Sequence, residues 1–306
     1  MQQARSFLFL SPYRFPGTMT SASKTYILTL SCPDAVGIVF AVSGFLAERN
    51  CNILDSAQFG DRTTDLFFLR LSFAAPAEGP TQTEIAEAFA STVAARFQMN
   101  WKLHDSARKP RLLLMVSKFG HCLNDLLYRY RAGILNVEIP AIVSNHRDFY
   151  QLAAWHNIPF HYLPANSSNK AEQEAKVLDI IETEAVDLVV LARYMQILSP
   201  ELCSRLWGRA INIHHSFLPS FRGAKPYHQA YARGVKLIGA TAHYVSAELD
   251  EGPIIDQEVE RVDHTMTPDD LVNAGRDIEC MVLARAVRWH IEHRILLNGG
   301  KTVIFR

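Results

Sequence analysis

The densest cluster of side chains that could do chemistry lies around residue 212. Asn212 and His214 are two positions apart after an apolar stretch, so both side chains point the same way if that stretch is a strand. An amide donor and an imidazole in one pocket could stabilise an oxyanion and transfer a proton. Asp250 lies on a predicted turn before a later strand, and only the fold can bring its carboxylate to the same pocket.

The same residues also allow purely structural roles. His214 and His215 can be a hydrogen-bonded structural histidine and its exposed neighbour, and Asp250 can be an ordinary turn acid. A metal site has less support, because the chain has 12 histidines but no HExxH motif. His290 and His293 are three positions apart without a recognisable third ligand. We therefore predict no metal.

The segment that follows the first apolar strand of the second half argues against two further chemistries. Residues 117–122 read Ser-Lys-Phe-Gly-His-Cys, which matches neither a GxGxxG motif nor a P-loop. Cys122 follows His121, but adjacent side chains on a helix are expected to diverge, which argues against a cysteine nucleophile. We therefore predict that no cofactor takes part.

The composition limits the possible partners. The chain has 306 residues, of which 48% are hydrophobic and 20% charged, and 31 basic residues balance 31 acidic ones. At about 100 to 200 residues per domain, this length predicts two domains, each with its own core. Proteins that bind nucleic acids usually carry a basic face or a basic total. Zero net charge therefore favours a small-molecule partner and no nucleic acid.

Cysteine usage and hydropathy predict a compartment. The five cysteines are scattered and form no CxxC pair, so neither a disulfide framework nor a zinc ribbon is indicated and a cytoplasmic setting is expected. No apolar run reaches the roughly 18 residues that a membrane span needs. The apolar patch within residues 1–23 is short and followed by prolines, too little for a signal peptide. We predict a disordered extension over residues 1–23, with Met19 as a candidate start.

Residues 24–105 alternate in the order strand, helix, strand, strand, helix, strand. Thr81 and Glu84 have the spacing of a capping box at the start of the second helix. The order βαββαβ is typical of the ferredoxin-like split βαβ fold, an antiparallel sheet with two helices on one face. The polar stretch 106–110 ends in Pro110 and is the predicted linker.

Residues 111–306 are predicted to form the second domain. The apolar stretch Arg111–Ser117 is typical of a strand buried on both faces, and helical and strand-like segments alternate after it. This alternation predicts a doubly wound, mostly parallel sheet, and hence an α/β protein. Two antiparallel strands are expected at 237–245 and 254–262, and a helix from Pro268 to about Leu297 follows them.

Four motifs in the second half resemble the folate-dependent formyltransferase family. They are Asn212-Ile-His-His-Ser-Phe-Leu-Pro219, Gly223-Ala-Lys-Pro-Tyr-His228, Gly239-Ala-Thr-Ala-His243 and Leu249-Asp-Glu-Gly-Pro-Ile254. In the first half, Cys32-Pro-Asp-Ala-Val-Gly-Ile38 and Asn52-Ile-Leu54 resemble the ligand loop of an ACT domain. An ACT domain before a formyltransferase domain is similar to the hydrolase branch of this family. The resemblance covers everything except about the first two dozen residues.

This resemblance implies a reaction and its catalytic residues. The reaction is hydrolysis of 10-formyltetrahydrofolate to formate and tetrahydrofolate, which supplies formate for purine biosynthesis and balances the one-carbon folate pool. Asn212 and His214 would serve the oxyanion, and Asp250 would orient His214 and help to deprotonate the water. No metal and no covalent intermediate would be needed.

The alternative within this family is formyl transfer to glycinamide ribonucleotide or another amine acceptor. Transformylases that use this acceptor hold its phosphate on a Gly- and Ser-rich loop after the first strand. Residues 118–124, Lys-Phe-Gly-His-Cys-Leu-Asn, have lost most of that pattern, which favours water as the acceptor.

The resemblance also implies binding residues. The stretch 192–198 is similar to the pterin-binding segment of the family, although plain core packing is the alternative interpretation there. Thr241 and His243 are expected beside the formyl group. The residues expected to bind the folate in that stretch are Met195, Gln196, Ile197 and Leu198.

The ACT resemblance implies a regulatory binding site. Such domains commonly pair edge to edge and bind a small amino acid, here glycine or methionine, so a homo-oligomer is expected. The residues implicated are Asp34, Gly37 and Asn52. The alternative is a pure oligomerisation domain in which Gly37 simply starts a helix.

Overall fold

The computed structural model describes residues 24–166, 168–218 and 226–306, and every structural statement below concerns these residues. The predicted extension 1–23, the candidate start Met19 and residues 223–225 of one family-like motif lie outside the described residues. Among the helices of the described part of the chain, none combines the length and hydrophobicity that crossing a bilayer requires.

The first part of the chain forms a four-stranded antiparallel sheet with helices on one face. Its strand order is β2-β3-β1-β4, and the second helix starts with the predicted capping box of Thr81 and Glu84. The predicted βαββαβ order is confirmed. The elements are β1 (Lys24–Pro33), α1 (Ile38–Ala47), β2 (Asn52–Asp61), β3 (Leu66–Ala75), α2 (Gln82–Phe89), a π-helical turn (Ala90–Ala94) and β4 (Asn100–Asp105).

Strand β3 is buried on both faces because both faces of this sheet are covered. Leu69 and Phe73 on one face pack with the helices in the core of the first sheet. On the opposite face, the fully buried Phe68 packs against Leu296 and Phe305 from the C-terminal end of the chain. This hydrophobic contact therefore attaches the first sheet to the C-terminal end of the chain.

The second part forms a seven-stranded sheet in the order β11-β10-β9-β8-β5-β6-β7. Strands β9, β8, β5, β6 and β7 are parallel, whereas β10 pairs antiparallel with both β9 and β11. The predicted doubly wound α/β fold is confirmed. The elements are β5 (Arg111–Val116), α3 (His121–Arg131), β6 (Glu138–Ser144), α4 (Tyr150–Trp155), β7 (Phe160–Tyr162), α5 (Lys170–Thr183), β8 (Leu188–Leu191), α6 (Pro200–Arg205), β9 (Ala210–His214), α7 (Pro226–Ala232), β10 (Leu237–Tyr244), β11 (Ile254–Arg261) and α8 (Pro268–Ile291).

The strand order creates the place for a site. The chain adds β6 and β7 on one side of β5 and then returns to add β8 and β9 on the other side. In such sheets, ligands bind in the crevice outside the carboxyl ends of the strands where the order reverses. Here that crevice lies beyond β5 and β8.

The end of the chain corrects one prediction. Helix α8 ends at Ile291 rather than near Leu297, and a two-stranded hairpin follows, formed by β12 (Ile295–Asn298) and β13 (Lys301–Ile304). Its turn is Gly299-Gly300, and Gly299 has a positive φ of 58°, which glycine adopts without steric cost. Asn-Gly-Gly is a tight-turn pattern. The domain limits at 24–105, 106–110 and 111–306 stay a prediction.

Candidate active site

A cavity of about 970 Å³ lies beyond the carboxyl ends of β8 and β9. One wall is the segment that follows β8, from Arg193 to Leu198. The catalytic candidates Asn212, His214 and Asp250 line the opposite part, together with the turn that precedes β11. The fold therefore brings the three candidates to the crevice that the strand order creates.

Strand pairing sets the positions of the polar side chains. Asn212 of β9 lies opposite His243 of β10 in the antiparallel register, and Asn212 Nδ2 is 3.2 Å from His243 Nε2. His243 Nδ1 is 2.9 Å from the carbonyl oxygen of Tyr244. Because a carbonyl only accepts, Nδ1 carries the proton and Nε2 accepts from the amide of Asn212. The second amide hydrogen of Asn212 is not used by His243.

The carboxylate of Asp250 faces two imidazoles. Asp250 Oδ2 is 3.5 Å from His214 Nε2, and Oδ1 is 3.7 Å from His243 Nε2. Both distances exceed that of a good hydrogen bond, and an ion pair with the carboxylate would require a protonated imidazole. Asp250 has a positive φ of 59°. Gly252 permits this turn, since a Cβ there would lie 1.7 Å from the carbonyl oxygen of Tyr244.

Burial favours the neutral form of two of the cavity histidines. Burial lowers the pKa of His243, against the opposing effects of its bond to the Tyr244 carbonyl and the Asp250 charge. Burial, with added repulsion from Arg193 and from the neighbouring imidazole of His214, lowers the pKa of His215 to about 4. His214 Nδ1 lies 3.1 Å from Ser216 Oγ, which orients its ring. Neutral imidazoles can accept protons in this pocket.

The folate-binding candidates after β8 all line the cavity. Ser117 fixes the backbone of this wall: its N–H donates to the carbonyl of Arg193 at 3.1 Å, and its Oγ accepts from the N–H of Met195 at 2.8 Å. Met195 and Ile197 are 52% and 62% exposed, whereas Leu198 is buried. The exposed thioether and alkyl groups form an apolar wall, so core packing does not explain these two residues.

Thr241 corrects an expectation. Its side chain is fully buried and does not line the cavity. Its hydroxyl donates to the carbonyl of Ser216 at 3.0 Å and accepts from the N–H of Leu218 at 3.1 Å and from Gln257 at 3.0 Å. Thr241 shares a strand face with His243, but the segment after His214 covers it. Thr241 therefore positions that segment and cannot contact a ligand in the cavity.

Sequence reasoning missed a buried ionic network behind the cavity. Glu279 of α8 is only 1% exposed and lies 2.8 Å from His121 Nε2, 2.9 Å from the hydroxyl of Tyr227 and 3.3 Å from Arg193 Nε. Burial alone would raise the pKa of Glu279, but His121 and Arg193 outweigh it and hold the pKa below its usual value. No sequence pattern links these distant residues.

The same network corrects the expectation that His121 and Cys122 diverge. Their ligand atoms and a carboxylate oxygen of Glu279 lie within 4.8 Å of one another, a grouping that a metal ion could use. Hydrogen bonding to Cys280 and burial raise the pKa of the Cys122 thiol well above its usual value. Thiolate is the form that binds metals and attacks substrates, and the Arg193 cation is close by, so the set fits an ion pair better than a metal.

The ACT candidates lie on the first sheet. Asp34 belongs to the loop between β1 and α1, and Gly37 ends that loop with a positive φ of 94° at the N-cap of α1. Asn52 is the exposed first residue of β2. The backbone N–H of Asp34 donates to the carbonyl of Asp65 at 2.9 Å.

Comparison with known proteins assigns both halves of the chain. The family model for formyl transferase matches residues 110–287, and the model for the ACT domain matches residues 26–86. A formyltetrahydrofolate deformylase from Corynebacterium sp. (strain P-1) is 51% identical over 286 residues, covering 94% of this chain and 100% of that protein. A deformylase from Bacillus subtilis is 50% identical, covering 91% of this chain and 93% of that protein.

Solved structures agree with these relatives. The crystal structure of a formyltetrahydrofolate deformylase from Burkholderia mallei superposes with a TM-score of 0.89 at 53% identity, covering 92% of this chain and 100% of that one. A glycinamide ribonucleotide transformylase from Symbiobacterium toebii has a TM-score of 0.61 at 28% identity, covering 67% of this chain and 98% of that one. The chain therefore belongs to the formyltetrahydrofolate deformylase family.

Proposed function

We infer that this chain hydrolyses 10-formyltetrahydrofolate to formate and tetrahydrofolate. The observation that carries this conclusion is the convergence of Asn212, His214 and Asp250 on one cavity, in a chain whose deformylase relatives match it over nearly its whole length. An amide donor, an imidazole and a carboxylate are the groups that attack by water on a formyl carbon requires. The reaction would supply formate for purine biosynthesis and return tetrahydrofolate to the one-carbon pool.

In the proposed mechanism, the oxygen of a water molecule attacks the formyl carbon. Asp250 takes the proton of that water, directly or through His214. The unused amide hydrogen of Asn212 and the imidazole of His214 stabilise the oxyanion of the tetrahedral intermediate. The bond between carbon and N10 then breaks, N10 takes the proton that was removed from the water, and the formic acid leaves as formate, giving its remaining proton to solvent. His243 acts through Asn212, whose amide it orients at 3.2 Å.

Substrate contacts are proposed for the opposite wall. Met195, Ile197 and Leu198 offer apolar surface to the pterin, and the backbone pinned by Ser117 offers hydrogen-bonding groups. The side chain of Gln196 donates to the carbonyl of Met195 at 3.0 Å, so it shapes this wall. In this arrangement His243 is beside the formyl group, and Thr241 supports the segment from Ser216 to Leu218.

Water as the acceptor is supported by what occupies the segment after β5. The guanidinium of Arg193 lies 5.7 Å from the ring centre of Phe119, and His121 is engaged with Glu279. Gly120 is the glycine of this segment, and a Cβ there would meet the ring of Phe149 at 2.3 Å. These bulky and paired groups replace a Gly- and Ser-rich loop that could cradle an acceptor phosphate.

The test is formate release from 10-formyltetrahydrofolate with and without glycinamide ribonucleotide, with the Asn212→Ala variant as the matched control. We expect formate at the same rate in both reactions. Turnover that requires the acceptor would instead assign the chain as a formyltransferase to glycinamide ribonucleotide or another amine.

We further propose that no metal or other cofactor takes part, because the carboxylate, imidazole and amide can activate water and stabilise the oxyanion without one. Dialysis against EDTA is then expected to leave formate release unchanged. A loss of activity that Zn²⁺ or another divalent ion restores would reject this part of the proposal.

The five free cysteines support a reducing, cytoplasmic setting.

The first sheet is proposed to be a regulatory and oligomerisation domain. Large apolar side chains are exposed on α1 and on the edge strand β2, which supports pairing with a second copy of the chain. They are Phe40, Ile53, Leu54 and Phe59. We propose that glycine or methionine binds near Asp34, Gly37 and Asn52 and changes activity. Calorimetry that detects neither amino acid, with unchanged kinetics, would refute this role.

A further inference from the structure

The C-terminal hairpin forms part of the cavity rim. Gly300, Lys301 and Thr302 line the cavity, although they are far in sequence from the other lining residues. The hydroxyl of Thr302 donates to the carbonyl of Ile254 at 2.6 Å, four residues after Asp250. This bond fixes the hairpin against the turn that carries the catalytic carboxylate.

The other side of the hairpin is attached to the first sheet. Leu296 and Phe305 pack on Phe68 of β3, and Asn298 Nδ2 donates to Asp61 Oδ2 at 2.7 Å. In the hairpin register, Asn298 is paired with Lys301. The position of Lys301 on the rim is therefore set by contacts on both sides, and it is not a free chain end.

The charge of Lys301 is available to a ligand. Lys301 is exposed, and among the described residues no carboxylate lies within ion-pair distance of it. Arg193 also lines the cavity, but its guanidinium forms an ion pair with Glu279 at 3.3 Å. A Cβ added at Gly300 would meet nothing within 4 Å, so the space beside Lys301 is open.

The remaining charged groups of the rim favour the same side. Glu248 and Asp250 line the cavity on the turn that precedes β11. These carboxylates repel an anionic group, so an anion that leaves the cavity is directed away from that turn and toward the ammonium of Lys301.

We propose that Lys301 binds the carboxylates of the glutamate tail of the folate. This inference rests on the proposed function, because it takes the substrate to be a folate with its pterin on the wall after β8. The formyl group must lie near Asn212 in the interior, so the p-aminobenzoyl-glutamate part extends to the rim. An ammonium on the rim binds such carboxylates as a point charge and tolerates tails of different length.

The test compares two substrates and three proteins, the wild type and two variants. Formate release is measured with 10-formyltetrahydrofolate and with 10-formyltetrahydropteroate, which lacks the glutamate, for wild type, Lys301→Glu and Lys236→Glu. Lys236→Glu is the control, because it makes the same charge change at another exposed lysine. Lys236 lies just before β10, about 23 Å from His243 along that strand at 3.3 Å per residue. We expect Lys301→Glu to raise KM for the folate by about 3- to 10-fold, with a much smaller change in kcat and no change for the pteroate.

Direct binding separates this inference from the proposed function. Calorimetry with tetrahydrofolate and tetrahydropteroate needs no turnover, and Lys301→Glu is expected to weaken only the binding of tetrahydrofolate. If wild type releases no formate but shows this difference, the proposed function fails and the tail site stands. Equal effects of Lys301→Glu on both ligands, no effect on either, or the same effect from Lys236→Glu would overturn the inference.

Discussion

Two groups of three histidines occupy different parts of this molecule. His214, His215 and His243 surround one end of the cavity. The other group, here called the junction histidines, consists of His104 on β4, His290 on α8 and His293 just after it, where the two sheets meet. The rings of His104 and His293 are stacked with centres 3.5 Å apart and planes 11° from parallel.

Burial depresses pKa values in both groups, so a perturbed imidazole does not by itself identify a catalytic site. Burial, with added repulsion from neighbouring cations or histidines, lowers the pKa of His104 and His290 to about 4 and that of His293 to about 3. The junction histidines face Lys102, Arg108 and Arg70, with Asp187 as the opposing acid. The cavity histidines face Asp250 and open space.

This difference indicates what chemistry requires beyond neutral imidazoles. A carboxylate 3.5 Å from His214 Nε2 can charge and orient an imidazole or take a proton from water, and the cavity admits the substrate. At the junction the carboxylate of Asp187 is instead paired with Arg108 at 3.0 Å. The junction rings pack on one another, and His290 Nδ1 is hydrogen-bonded to the hydroxyl of Tyr244 at 2.7 Å.

The largest effect is expected for Asp250→Asn. The amide keeps the shape of the side chain but cannot take a proton or stabilise a charged His214, so kcat for formate release is expected to fall by about 100- to 10,000-fold. Binding of tetrahydrofolate, measured by calorimetry, should change little.

His104→Phe is the matched control on the other side of the comparison, since it removes one junction imidazole and keeps a ring for the stack. Its kcat is expected within about twofold of wild type. Near-normal turnover of Asp250→Asn, or a large loss in His104→Phe, would break the distinction between the two groups.

An effect of intermediate size is expected on the free energy of unfolding when the pH is lowered. The folded pKa values of the junction histidines lie below the unfolded value of about 6.5, so the unfolded chain takes up protons first as the pH falls. Stability is therefore full above pH 6.5 and decreases as the pH falls toward 4, by an order of 1 to 3 kcal/mol for a buried histidine.

Thermal unfolding between pH 7.5 and 4.5 measures this loss. His215 contributes to it as well, because its pKa is also lowered to about 4, so the difference between wild type and His104→Phe isolates the junction. We expect a shallower fall of Tm with acid in the variant. An identical pH dependence would show that the junction histidines do not titrate on unfolding.

The sequence could predict features that depend on spacing within one element. Asn212 and His214 follow from strand alternation, and the fold class follows from the order of apolar segments. Alternation also placed Thr241 beside His243, but it could not indicate that the segment after His214 covers Thr241. Which side chains on a strand face are open to the cavity depends on neighbouring strands and segments, and spacing along one strand does not show these.

Features that join distant segments could not be predicted. His290 and His293 were visible as a pair, yet their partner His104 comes from the first sheet, where no local pattern points to it. For the same reason no local pattern indicates that Glu279 lies behind the cavity, against Arg193, or that Lys301 lies on its rim. The sequence pattern also extends the helix through the apolar run after Ile291, where the structure has the hairpin. Gly299 and Gly300 are the local signal of its tight turn.

The smallest effect is expected for Tyr244→Phe. Tyr244 contacts both the junction histidines and the cavity histidines. Its hydroxyl bonds His290 on the junction side, whereas its backbone carbonyl holds His243 Nδ1 on the cavity side at 2.9 Å. The substitution removes the first contact and keeps the second. We expect the free energy of unfolding to fall by about 1 kcal/mol and kcat to stay within about twofold, measured by denaturant unfolding and formate release. A tenfold loss of kcat would mean that the packing of the junction also orients the amide of Asn212 through His243, and the two groups would then act as one unit.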